Sequence, residues 1–311
     1  KAASERLRME NDLRLALARG ELALHFQPQV DARGNRIVGA EVLLRWHHPQ
    51  LGQQPPAQFI QVLEESGLIL EVGSWILDEA CDACAHMLQD GLIDANAAAG
   101  QEYADKLRKQ GHRIHFVQAD VSQFEQCQAA YDAITAALGA ATILVNNVGI
   151  SPKTNGRALN VWEMPPQEWA KVVDVNLNSV FYMTRLATPY MVQKNTGRII
   201  NMSSVAGRAY CDIVAAHYAA TKAALIGLTR HWAAELGPYQ VTVNALAPGR
   251  IATPLLKTVP QEINDAVVKV TALGRLGTPQ EVADACLYFA SDQARFVTGQ
   301  VLDVAGGWLM T

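Results

Sequence analysis

Residues 100–149, GQEYADKLRKQGHRIHFVQADVSQFEQCQAAYDAITAALGAATILVNNVG, decide the fold. They read as a helix (100–111), a strand (113–120), a second helix (123–138) and a second strand (142–149). The alternation continues with a long helix at 166–194, a strand at 197–204, a helix at 215–236, a strand at 241–249, a helix at 279–291 and a strand at 300–307. Apolar strands alternating with amphipathic helices need a parallel sheet covered on both faces. The expected class is α/β, a Rossmann-like, doubly wound, mainly parallel sheet.

N-terminal to this stretch the pattern differs. A charged helix at 4–19 precedes the strand ELALHFQPQV (21–30), the turn DARGN with Gly34 and Asn35, and the strand RIVGAEVLLRW (36–46). That is a hairpin signal. After the proline-containing loop 47–56, residues 57–89 carry apolar side chains at helical spacing with a break around Gly67, giving two helices.

The chain has 311 residues, half of them apolar and 18% charged, with a formal charge of −4. This is the composition of a globular protein with a substantial core, and the scattered Lys and Arg do not suggest nucleic acid as a partner. No apolar run approaches the roughly 20 residues that cross a bilayer, and the first residues form a charged helical pattern instead of a signal sequence, so no membrane association and a cytoplasmic location are expected. Five cysteines at irregular spacing do not make a disulfide framework. Cys81 and Cys84 have the spacing of a redox or zinc half-site, but they lie on an apolar-periodic helix with no second pair, which reads as core packing.

The chemistry centres on HYAATK. Tyr218 and Lys222 are four residues apart on a helix and share a face. An ammonium beside a phenol is expected to lower the tyrosine pKa towards working pH, as an acid/base catalyst needs. Ser204 ends the strand before this helix, where it could donate to a substrate carbonyl, and Asn176 falls in the middle of the long helix.

These motifs resemble the short-chain dehydrogenase/reductase family, especially its β-ketoacyl-reductase-like members. The resemblance covers about 98–311 through NNVG, VNLNSVF, INMSSVAG, YAATK, NALAPGRIAT and the segment from GRLGTPQEVADACLYFAS to the C-terminal VAGG. It implies an oxidoreductase acting on a small carbonyl or alcohol with NAD or NADP. Tyr218 would be the acid/base, Lys222 its pKa modifier and a ribose ligand, Ser204 the carbonyl orienter and Asn176 the holder of a relay water. Asp120 and Val121 would contact adenine, Asn147 and Gly149 the ribose side, and Pro248, Gly249, Ile251 and Thr253 the nicotinamide amide. The Ser204–Tyr218 interval is about one residue longer than usual. The long helix and the tyrosine helix form the family's usual dimer face, so a homodimer or homotetramer is expected.

The first segment resembles EAL-type cyclic di-GMP phosphodiesterases over about 5–92, through LHFQPQVD, GAEVLLRWHHP, FIQVLEESGLI and VGSWILDEAC. By that resemblance Glu41 would be a metal ligand, and Gln27, Leu43 and Arg45 would touch the dinucleotide. The family's remaining metal ligands are absent. One carboxylate cannot hold two divalent cations that each take about six oxygen ligands, so no metal and no phosphodiesterase activity are expected.

Reductases of this kind begin with a strand, a glycine-rich turn, a helix and a second strand. Here no three glycines fall within eight residues, and both strands are expected to be missing. The expected division is an EAL-like fragment at 1–95 and a reductase portion at 96–311, forming one composite domain in which the 21–46 hairpin, or one of its strands, fills the gap beside TILVNNVG. Two tethered units are the alternative. Loss of the pyrophosphate cradle leads us to expect weak or absent cofactor binding. A catalytically silent chimera and, last, a cyclic di-GMP-binding module stand as competing functions.

Overall fold

The computed structural model describes residues 2–30, 37–69, 71–72, 75, 89–154, 156–253, 256 and 261–310. The chain packs as two compact units, Lys1–Gln89 with Leu107–Arg113, and Asp90–Lys106 with Ile114–Thr311. The Cys81–Cys84 pair and the hairpin turn lie outside the described residues.

The first unit contains α1 (Ala2–Ala16), β1 (Leu22–Val30), β2 (Ile37–His48), β3 (Gly52–Gln54) and α2 (Pro56–Ser66). β1 and β2 pair antiparallel, with Leu22 opposite Trp46 and Gln27 opposite Glu41, and β3 pairs with the end of β2. Leu13, Leu22, Leu44, Trp46, Phe59 and Leu63 form the buried core. Trp46 stands edge-on to Phe59 at 5.7 Å. Its indole N–H donates to Glu21 at 3.2 Å, so a large ring is buried without an orphaned donor. His48 is also structural. Its Nδ1 accepts the backbone N–H groups of Gln50 and Leu51 at 3.1 and 3.2 Å, which places the ring proton on Nε2, 3.3 Å from Asp12. Helix α2 ends where the sequence breaks, with Gly67 in the left-handed conformation (φ 75°) and its N–H on the Glu64 carbonyl.

The ladder of this hairpin corrects the expected strand exchange. Among the described residues β2 is flanked by β1 and β3, in a three-stranded sheet of its own, and supplies no strand beside TILVNNVG. Antiparallel pairing across a short turn closes a small loop, whereas insertion into a distant sheet must close a long one.

The second unit is doubly wound. A two-stranded sheet joins β4 (Gln89–Asp94) to β5 (Arg113–Gln118), with α3 (Ala97–Lys109) between them in sequence. A four-stranded parallel sheet runs in the order β6 (Ile143–Asn146), β7 (Gly197–Met202), β8 (Val241–Pro248), β9 (Val301–Val304). The helices are α4 (Phe124–Leu138), α5 (Pro166–Val173), α6 (Ser179–Lys194), α7 (Ala216–Leu236), α8 (Gln261–Val270) and α9 (Pro279–Ala290).

Period-two alternation sends neighbouring residues of one strand to opposite layers. Ile199 and Val243 pack with Ala187 and Met191 of α6 and Ala233 of α7, while Ile200 and Leu246 pack with Phe289 of α9. Ile199 and Ile200 are each 1% exposed, which is the signature of a strand covered on both faces. Strand β6 is different. It is an edge of the four-stranded sheet, and its Ile143 and Val145 remain 42% and 41% exposed.

Two further expectations change. The second strand expected to be missing is present: β4 ends in Asp94 and leads through Asn96, whose side chain accepts the Ala99 N–H at 3.1 Å, into α3. Gly91 lets this strand lie against α4, since a β-carbon there would sit 2.5 Å from Ile134. The long helix expected over 166–194 is also interrupted. Residues Asp174–Asn178 form a π-helical turn between α5 and α6, closed by the Ser179 N–H on the Asp174 carbonyl. Helix α8 was not expected from sequence. Among the described residues no helix is long and apolar enough to cross a membrane.

Candidate active site

The site is assembled where β7 stops. Beyond Met202, the Ser203 N–H donates to the Leu246 carbonyl of β8 at 2.8 Å, and its hydroxyl donates to the Lys222 carbonyl of α7 at 2.8 Å. Ser203 therefore ties the strand end to both neighbours and leaves Ser204 extended at φ −168°. The Ser204 hydroxyl accepts the Ala206 N–H at 3.2 Å and caps a short 3-10 turn at Val205–Gly207. That turn touches α7 closely: a β-carbon at Gly207 would stand 2.6 Å from the Lys222 backbone carbon.

On α7, Tyr218 and Lys222 share one face. The Ser204 hydroxyl lies close enough to the Tyr218 phenol to favour its ionised form. The Lys222 ammonium donates to the Met202 carbonyl at 2.6 Å and lies 5.6 Å from the centre of the Tyr218 ring. Lys222 is 4% exposed, and burial lowers its pKa to about 8. Tyr218 behaves opposite to expectation. Burial raises its pKa, with the nearby Ser204 hydroxyl acting only as a smaller, lowering influence. The ammonium is turned onto a backbone carbonyl instead of the phenol, and desolvation disfavours the charged form of each partner.

Asn176 enters from the π turn and is fully buried. Its Oδ1 accepts the Ile150 N–H at 2.7 Å, and its Nδ2 donates to the Ile150 carbonyl at 2.9 Å and the Thr221 hydroxyl at 3.4 Å. The side chain thus fixes the loop after β6 to the turn preceding Lys222. Extra residues in π turns recur at functional sites because they re-aim one side chain without ending the helix. Gly149 borders the same space. A β-carbon there would lie 3.3 Å from the Lys222 ammonium and 3.5 Å from Asn176 Oδ1. Below, Asn146 donates to Asn201 at 2.9 Å and Asn201 to Thr229 at 2.9 Å, a buried polar chain that sequence reading did not single out.

The remaining sequence-derived positions lie at strand ends. Asp120 and Val121 follow β5. Two hydrogen bonds from Ser122, from its hydroxyl at 2.7 Å and its N–H at 3.0 Å, hold the Asp120 carboxyl below its usual pKa. Asn147 is exposed just beyond β6. Pro248 ends β8, the Gly249 N–H donates to the Val304 carbonyl at 3.0 Å, and Ile251 bridges to Gly277. A β-carbon at Gly249 would press on Ala305 at 3.0 Å. Thr253 lies in the following turn, its N–H on the Ile251 carbonyl at 2.9 Å. The structure thus brings Asn176, Ser204, Tyr218, Lys222 and Gly149 to one locus.

Asp94 was missed. It is exposed at the end of β4, with its carboxylate accepting the Asn96 N–H at 2.7 Å. An acidic residue closing a short apolar strand just before a helix was the available signal. In the first unit Glu41 faces Gln27 across the hairpin, and Leu43 and Arg45 pair with His25 and Ala23. The Arg45 guanidinium donates to the Leu44 carbonyl at 3.0 Å. The side chains of Gln27 and Glu41 lie outside the described residues.

A dinucleotide would need room beside Lys222 and donors not already committed. Gly149 supplies the room, and the buried Lys222 ammonium has one described acceptor for its three protons. These residues fit the nicotinamide-ribose end of such a ligand.

Residues 10–136 match the EAL domain model, and residues 86–309 match the model described as enoyl-(acyl carrier protein) reductase. The 3-oxoacyl-(acyl-carrier-protein) reductase FabG of Thermotoga maritima is 38% identical over 223 residues, spanning 70% of this chain and 88% of the relative. A Brucella melitensis 3-oxoacyl-(acyl-carrier protein) reductase structure with bound NAD is similar at 50% identity and a TM-score of 0.67, over 71% of this chain and 81% of that one. A Burkholderia cenocepacia gluconate 5-dehydrogenase structure in complex with NADP and tartrate shows 33% identity and a TM-score of 0.65, over 70% and 84% of the two chains. From about residue 86 onward, therefore, this chain belongs to the enoyl-(acyl carrier protein) reductase family, a family of short-chain dehydrogenase/reductase proteins.

Proposed function

We propose that the chain is an NAD(P)-linked oxidoreductase that interconverts a carbonyl and an alcohol, with its reacting groups in residues 96–311. The observation that carries this reading is the convergence of Ser204, Tyr218, Lys222 and Asn176 around the opening at Gly149. The nicotinamide, when bound, supplies or accepts the hydride. Tyr218 gives its phenolic proton to the substrate oxygen in reduction and takes it back in oxidation. Ser204 donates to the same oxygen and orients it. Lys222 stabilises the phenolate that remains and binds ribose hydroxyls. Asn176 holds the loop above Lys222 and the water through which the phenol is reprotonated.

Asp120, Val121, Asn147, Gly149, Pro248, Gly249, Ile251 and Thr253 complete the dinucleotide site. Asp94 selects its form: a carboxylate at this strand end accepts the ribose 2′-hydroxyl and repels a 2′-phosphate, so NAD is preferred to NADP. The chain lacks a glycine-rich turn, and each charge-assisted hydrogen bond to pyrophosphate contributes about 1.5–3 kcal/mol. Every ~1.4 kcal/mol lost weakens binding tenfold. Weak cofactor binding follows. The relatives point to a 3-oxoacyl or sugar-acid substrate. A cytoplasmic location and self-association through α6 and α7 belong to the same proposal.

The competing reading, a silent chimera, is favoured by the uncovered Ile143 and Val145 of β6. The deciding experiment is carbonyl reduction by the wild type and by Tyr218→Phe with saturating NADH. Loss of ~10²-fold or more in the variant supports catalysis. Equal rates support the silent chimera.

A further inference from the structure

A second set of charges lines a cavity bounded by part of the loop that precedes the tyrosine helix. The cavity, of ≈570 Å³, is lined by the apolar Ile263, Val267, Val270 and Trp308 and by Lys153 and Arg250. Such a volume suits a small metabolite. Arg250 is half-buried and uses Nε and Nη2 to grip Asn264 Oδ1 at 3.0 and 2.9 Å. Asn264 is itself 4% exposed and neutral, so the guanidinium is fixed in place without being neutralised. The Lys153 ammonium is drawn onto the Ile213 backbone carbonyl, again a neutral partner. Neither cation has a carboxylate partner among the described residues.

Among the described residues three other charged groups border the cavity. Arg157 is neutralised by a two-point pair with Glu163 at 2.6 and 2.8 Å. Asp212 and Glu262 are exposed, and neither figures among the charges acting on Lys153 or Arg250. Each of the two cations is pushed below its ordinary pKa, first by desolvation, and Lys153 next by the repulsion of Arg250. The Cys211 thiol is within electrostatic reach of both cations and of the Tyr218 phenol. Asp212 and Ile213, in the loop that leads into the tyrosine helix, line the cavity, as does Arg250, next to Gly249.

We infer that Lys153 and Arg250 form an anion subsite for a carboxylate or phosphate carried by the carbonyl substrate, with the apolar wall holding its carbon chain. Arg250 is a fixed, half-buried cation and Lys153 an exposed one on the same cavity, each with a neutral partner, and an anion there would gain charge-assisted hydrogen bonds from both. This rests on the reading of the Tyr218 locus as the reaction site, but it is tested without turnover.

The test is calorimetric titration of the full chain, without nicotinamide, using two pairs of probes: threonate against threitol, and phosphopantetheine against pantetheine. In each pair one anionic group is the difference. We expect at least one anionic member to bind tenfold or more tighter than its neutral partner, and the advantage to shrink as salt rises. Lys153→Met and Arg250→Met should each remove about tenfold of that advantage and leave the neutral member unchanged, while Arg250→Lys keeps most of it. Circular dichroism confirms that each variant is folded. Preference for threonate identifies a short acid as the source of the anion, and preference for phosphopantetheine identifies a carrier-arm phosphate. Equal binding within both pairs, or full anion binding by both methionine variants, overturns the inference. A protein that discriminates the anions yet reduces no carbonyl keeps the subsite and loses the reductase reading.

Discussion

Replacing Lys222 with methionine tests the site through stability instead of rate. In the folded chain the ammonium is buried and its pKa is lowered from 10.5 to about 8. Unfolded, the same lysine holds its proton up to about pH 10.5. Between pH 8 and 10.5 the unfolded chain therefore binds more protons, so the stability contribution of this lysine rises with pH across that window and is flat outside it. At about 1.4 kcal/mol per pKa unit, the full span is on the order of 3 kcal/mol. Below pH 8 the charged lysine opposes folding by that amount, offset in part by its bond to the Met202 carbonyl. The assay is urea denaturation of wild type and Lys222→Met at half-unit steps from pH 7 to 10.5, reading the difference between the two curves. The expected difference changes by about 2–3 kcal/mol in favour of the wild type as pH rises, with the variant more stable, or no less stable, near neutrality. Parallel curves for the two proteins would refute the idea that a buried ammonium is held in this site at a cost to the fold.

Two further outcomes follow from local geometry. Gly207→Ala places a carbon 2.6 Å from the backbone of Lys222, and the strain should lower stability by about 1–3 kcal/mol, read as a shift in the urea midpoint with unchanged slope. Asp94→Ser removes the carboxylate that ends β4, and the ratio of NADPH to NADH affinity should rise at least tenfold by fluorescence titration. An unchanged ratio would detach Asp94 from the cofactor.

Much of the second unit was legible because its signals are local. The helix–strand alternation and the four-residue spacing of Tyr218 and Lys222 on one helix are short-range patterns and appear where expected, and Ser204 follows its strand closely, two residues beyond Met202. The misreadings have long-range causes. In β4 only Leu92 and Ile93 are strongly apolar, and Asp90 and Gly91 are poor strand formers. The strand exists because β5 pairs with it and Gly91 accepts the side chain of Ile134. The direction of the Tyr218 pKa was misjudged because spacing places an ammonium nearby but does not say that both groups are desolvated. Lys153 and Arg250 are 97 residues apart in sequence, and nothing short of tertiary structure puts them on one cavity. The hairpin was readable as a hairpin, but its sheet partner was not, since edge complementarity is decided by the folded surface.

The π turn at Asp174–Asn178 has a consequence for the whole rod that contains it. One surplus residue advances the chain by roughly 100° of azimuth without completing another coil. Every side chain from Ser179 to Lys194 is thereby re-clocked relative to Pro166–Val173. A helical wheel drawn straight through the segment superimposes positions that in three dimensions look in different directions. Excising a single amino acid here would restore a regular spiral, swing Asn176 off Ile150, and rotate the lower half of the rod off the sheet it covers.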